Sequence, residues 1–179
     1  MRIKGNFPKL FYAVLGLLAP FLVNAQSHTP AWSQHYDAAG FYDAATHLAT
    51  DSKGNIIVGG LSTSLSVDYD YAVIKYSSTG AALWTNRYSS PIKMNERMAG
   101  LAVDTEDNVI VTGTSTNLGS GTTYLTVKYA SSGVPLWTNG YSGINNANDQ
   151  ANALVVDGSN NVIVTGEVDS DLSNFYTAI

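Results

Sequence analysis

Beyond its first 25 residues the chain alternates short apolar runs with clusters of Asp, Asn, Ser, Thr and Gly. No stretch there carries a helical period, so the pattern predicts strands joined by turns. Between residues 98 and 141 four strands are expected: Met98 to Asp104, Asn108 to Gly113, Tyr124 to Tyr129 and Pro135 to Tyr141. Turn chemistry separates them, with Asp104-Thr105-Glu106-Asp107 forming a hairpin turn and Ala130-Ser131-Ser132-Gly133 another. Leu101-Ala102-Val103 and Val109-Ile110-Val111 are continuously apolar, not alternating. Strands of that kind are covered on both faces.

The pattern repeats. Trp84-Thr85-Asn86-Arg87-Tyr88 returns as Trp137-Thr138-Asn139-Gly140-Tyr141, and Trp32-Ser33-Gln34-His35-Tyr36 holds the same frame. A second landmark, Asp-x-x-x-Asn, occurs as Asp51 to Asn55, Asp104 to Asn108 and Asp157 to Asn161, spaced by 53 residues each time. An aliphatic strand follows each one and ends at Gly60, Gly113 or Gly166. Residues 84–113 and 137–166 share 15 identities in 30 positions, which fixes the unit at about 53 residues. Four antiparallel strands in such a unit make one blade of a β-propeller. Blades stacked face to face cover both sides of each apolar strand. The Trp and Tyr of the outer strand fill the widening gap between neighbours, each burying about 150–250 Å².

The order of these motifs, an aliphatic strand, Asp-x-x-x-Asn, a second aliphatic strand to Gly, a Lys-Tyr strand, Ser-x-Gly and Trp, resembles the bacterial beta-propeller repeat family over residues 32–179. The resemblance implies an all-β propeller of the seven-bladed type and no defined reaction. Counting from Trp32 gives one outer strand, two full units and three further strands, twelve in all, or three blades' worth. Closed propellers need four to eight blades. The expectation is therefore an incomplete propeller, truncated inside its last blade just before a Lys-Tyr pair, with further blades as its nearest partners. Closure of six blades by a homodimer and a nonfunctional gene fragment are the alternatives.

The first residues change the cellular picture. Arg2, Lys4 and Lys9 precede an apolar run from Leu10 to Val23, followed by Asn24-Ala25, which reads as a secretory signal peptide cleaved after Ala25. Residues 26–179 would then form the repeat region of an extracellular, cell-surface or periplasmic protein. Cleavage removes three cations and moves the net charge from −5 to −8. The six remaining Lys and Arg residues are scattered, which argues against nucleic acid and anionic membrane as partners. With no cysteine, packing alone must hold the fold.

Candidate chemistry is sparse. Carboxylate and amide oxygens gather in the Asp-x-x-x-Asn turns, where Ca²⁺ is one reading and hydrogen bonding to the turn's own backbone the other. Asp43, Glu96 and Asp149 recur eight residues before each turn Asp, at the start of each innermost strand. Propeller symmetry would set them in a ring at one mouth of the channel, as metal ligands or as ties to the loop from the preceding outer strand. Asp68 with Asp70, and Glu167 with Asp169 and Asp171, read as solvated loop charge. His28, His35 and His47 do not recur, and no nucleophile, base and orienter can be assembled by spacing. No cofactor is expected. The leading expectation is a secreted, non-catalytic repeat module whose Tyr- and Asn-rich loops, such as Ser142 to Asn148, contact protein or carbohydrate. The alternatives are a hydrolase or lyase whose active site lies beyond Ile179, and a calcium-stabilised structural repeat.

Overall fold

The structure is a computed structural model that describes residues 30–38, 42–63, 68–90, 95–116, 121–143, 148–169 and 175–178. Residues 1–25, where a signal peptide is expected, and His28 lie outside them. Eleven strands form among the described residues, and no helix. The first sheet is β1 (Asp43–Thr50), β2 (Ile56–Thr63), β3 (Tyr69–Tyr76) and β4 (Ala82–Tyr88), hydrogen-bonded in chain order. The second repeats it with β5 (Glu96–Val103), β6 (Val109–Thr116), β7 (Thr122–Tyr129) and β8 (Pro135–Tyr141). The third holds β9 (Gln150–Val156), β10 (Val162–Val168) and β11 (Phe175–Ala178). Every pairing within the sheets is antiparallel, and β5 lies against both β1 and β9, so these three are the innermost strands.

Two expectations need correction. Trp32 to Tyr36 does not form the twelfth strand, because among the described residues no strand lies beside it to supply a ladder. The segment still takes the outer-strand position against the first blade. Trp32 donates its indole N–H to the Ser78 carbonyl and Gln34 its amide to Gly80, as Trp84 does to Ser131 and Asn86 to Gly133 one blade later. The strands also run further than the apolar pattern suggests. Glu96 pairs with Ser115, and Thr116 with Thr122, because backbone ladders continue through polar residues when the neighbouring strand is in register.

Packing between blades explains the landmarks. Tyr71 and Val73 of β3, with Ile57 of β2, bury against Met98, Val109, Val111, Leu125 and Val127 of the second blade. Tyr124 repeats the role of Tyr71 against Ala151 and Val164. Each innermost strand carries a bulge at the same repeat position, between Ala45 and His47, Met98 and Gly100, and Ala151 and Ala153. The bulge turns a backbone carbonyl over the landmark glycine. A Cβ at Gly60, Gly113 or Gly166 would overlap the carbonyl oxygen of Ala44, Arg97 or Gln150 respectively. On the outer side the Trp84 ring lies on Gly133, whose φ of 90° no L residue adopts easily.

Candidate functional site

The sheets present two different ends. At one lie the Asp-x-x-x-Asn turns, and each turn Asp serves its own turn. Asp51 Oδ1 accepts the backbone N–H groups of Lys53 and Asn55, both at 2.9 Å, and Oδ2 accepts the Asn55 side-chain amide at 2.8 Å. Asp104 and Asp157 make the same three bonds. The Lys-Tyr strand adds a cation: Lys75 Nζ lies 2.8 Å from Asp51, and Lys128 Nζ 2.8 Å from Asp104, with both carboxylates nearly inaccessible. Burial would raise these carboxyls, but the lysine, the Asn side chain and the two backbone N–H groups outweigh it and hold both below the usual carboxylate range. Adjacent turns are clasped together, Ser52 donating to Asp107 and Thr105 to Asn160. The accepting residues sit at φ 63° and 64°.

At the opposite end Asp43, Glu96 and Asp149 begin, or immediately precede, the innermost strands. Each carboxylate reaches back to the segment leaving the preceding outer strand. Asp43 accepts the Ala38 N–H at 3.2 Å. Asp149 is fully buried, accepting from Ser142 Oγ and the Gly143 N–H, and from the Asp169 N–H on its other oxygen. Glu96 is fully buried too, with Ser90 and Ser115 donating to it. Burial pushes its carboxyl up, nearby Asp70 adds to this, and the serines only partly offset it. Its Oε2, like Asp43 Oδ1, has no hydrogen-bond partner among the described residues.

The remaining candidates fall elsewhere. Asp70 is not solvated, as its loop position suggested: it is buried and ion-paired with Arg87, which also donates to the Ser62 carbonyl. Asp68, Glu167 and Asp169 are half-buried, and Asp171 lies outside the described residues, as does most of the Ser142 to Asn148 loop. His35 is exposed, and half-buried His47 contacts the Thr46 hydroxyl through Nδ1 at 2.8 Å. Among the described residues no group of three His, Asp or Glu side chains converges in a way that could hold a metal ion.

Above the buried carboxylates the mouth opens into a groove of about 710 Å³ that crosses the blades. Much of its lining comes from equivalent repeat positions filled by different residues: Arg97 and Gln150 at one, Leu61 and Thr114 at another, Tyr69 and Thr122 at a third, while Tyr42 stands where Asn95 and Asn148 recur. The residues that hold the blades together recur, whereas most of those facing this groove do not. Aligning the repeats and asking where they differ is the sequence signal that would have found it. The Lys75–Asp51 and Lys128–Asp104 pairs were legible in the same way, since both partners recur 24 residues apart.

Four-stranded antiparallel blades, stacked by their faces with one strand of each innermost, define a β-propeller-type repeat protein. No known protein-family profile matches the chain. It is similar to an uncharacterized WD repeat-containing protein of Acanthamoeba polyphaga mimivirus, at 30% identity over an alignment that covers 69% of this chain and 9% of that protein. The chain thus spans only 9% of the length of the curated relative it matches.

Proposed function

We propose that this chain is a non-catalytic interaction module of the bacterial beta-propeller repeat type, exported by residues 1–25, which binds its partner in the groove at the mouth of the blades. The observation that carries the reading is the segregation of residues by role. Recurring side chains are spent mainly on turns, blade contacts and backbone ties, and the groove is lined mostly by positions where the repeats diverge. Function placed on a repeat scaffold departs from the repeat consensus. The recurring carboxylates Glu96 and Asp149 act as acceptors that tie one blade's last strand to the next blade's first. Similarity to a WD repeat-containing protein supports the blade architecture.

The test is incubation of the protein with peptide and oligosaccharide libraries, with mass spectrometry of both retained and unretained molecules. Retention without any change in ligand mass is the expected result. Turnover of a library member would overturn the non-catalytic reading.

A further inference from the structure

The groove sets an aromatic pair beside planar polar groups. Tyr42 and Tyr69 meet edge to face, with ring centroids 6.5 Å apart and planes at 81°, and remain 62% and 40% exposed. The other tyrosines of β3, β7 and β8 are turned into blade interfaces, so these two rings are apolar surface left to something outside the fold. Asn95, Arg97 and Gln150 line the same groove with flat amide and guanidinium groups. Glu96 lies beneath the groove, wholly buried, with Ser115 and Ser90 donating to it. The volume falls within the range of about 300–1,000 Å³ usual for small-ligand sites.

We propose that this groove binds a neutral oligosaccharide, one sugar ring lying against Tyr42 and Tyr69 while its hydroxyls bond Asn95, Arg97 and Gln150. The assignment rests on the reading of the mouth as the binding surface. Flat side chains that donate and accept in one plane match adjacent ring hydroxyls, and tyrosine gives rigid contact area at low entropic cost. A peptide anchored by its side chains would need a desolvated apolar pocket. Here the two rings stand among polar side chains, Asn95, Arg97, Thr114, Thr122 and Gln150. The net charge of −5 disfavours acidic sugars.

The experiment is a glycan array of neutral hexose, N-acetylhexosamine and sialylated oligosaccharides, run beside a linear peptide array. It is probed with the full chain and with Tyr69→Ala, Arg97→Gln and, as an outer-strand control, Leu136→Ala. Retention on at least one neutral oligosaccharide is expected, reduced at least tenfold by Tyr69→Ala and Arg97→Gln and unchanged by Leu136→Ala. Should Tyr69→Ala melt early, Tyr42→Ala replaces it, because Tyr42 is bonded only through its backbone carbonyl. Retention of no neutral oligosaccharide, of sialylated ones alone, or equally by every variant overturns the proposal. Peptides held in the groove would overturn the sugar assignment and leave the mouth as binding surface; binding lost only in Leu136→Ala would remove both.

Discussion

Asp107, in the turn of the second blade, accepts both the backbone N–H and the hydroxyl of Ser52, in the turn of the first, each at 2.8 Å. Asn160 does the same for Thr105 one blade on. The clasp needs an acceptor that tolerates positive φ, which Asp and Asn supply and Ala does not. Asp107→Ala is therefore expected to lower the melting temperature, and Asp107→Asn to keep most of it, in paired thermal melts. Equal melting of the two variants would count against the clasp.

The buried Lys75–Asp51 pair makes a larger prediction. Asp51→Ala strands the Lys75 ammonium, whose side chain is only 4% accessible, and also removes the acceptor of the turn. Breaking a buried pair from one side costs about 3–5 kcal/mol. Denaturant unfolding should register a loss of that order, or no folded protein at all. A loss below about 1 kcal/mol, the value of an exposed pair, would contradict the burial.

Acid acts on these turns and on Glu96 with opposite signs. Asp51 and Asp104 have carboxyls held below their unfolded value of about 4, so their stabilisation is complete above that value and drains away as pH falls through the folded one. Glu96 is raised by burial, so the folded state holds its proton more tightly, and the wild type loses stability as pH climbs from about 4 through the raised value. Glu96→Gln removes only the second slope. Its stability relative to wild type should rise with pH across that window, followed by urea unfolding at a series of pH values; a flat difference would refute the assignment.

Two glycines should behave differently. At Gly113 a Cβ meets the Arg97 backbone carbonyl and lies 2.6 Å from the Tyr71 hydroxyl, and backbone cannot move aside cheaply. Gly113→Ala should cost about 1–3 kcal/mol or more. Gly158 has open space around its Cβ position, so Gly158→Ala should be neutral or stabilising by up to about 1 kcal/mol. Both are read from equilibrium unfolding.

Much of the fold was legible because the unit repeats. Strand β8 was placed to the residue, and the turn at Asp104 with its Asn108 partner was visible from spacing. The polar ends of β5 and β6 were not, since Glu96 and Thr114 to Thr116 join the ladder through backbone alone. The reason for Gly60, Gly113 and Gly166 was hidden as well, because it lies in a carbonyl delivered by a bulge on another strand. The ion pair of Asp70 with Arg87 belongs to the first blade only, with Thr123 and Gly140 at those positions in the second, so the repeat gave no hint of it.

The central claim is that the diverging residues at the mouth, not the recurring ones, meet the partner. The most direct test is to map backbone amide shifts by nuclear magnetic resonance while titrating a ligand retained from the libraries. The account predicts changes concentrated at Tyr42, Tyr69, Arg97 and Gln150. Changes concentrated at Leu83, Trp84 and Leu136 on the outer strands, with the mouth unmoved, would contradict it.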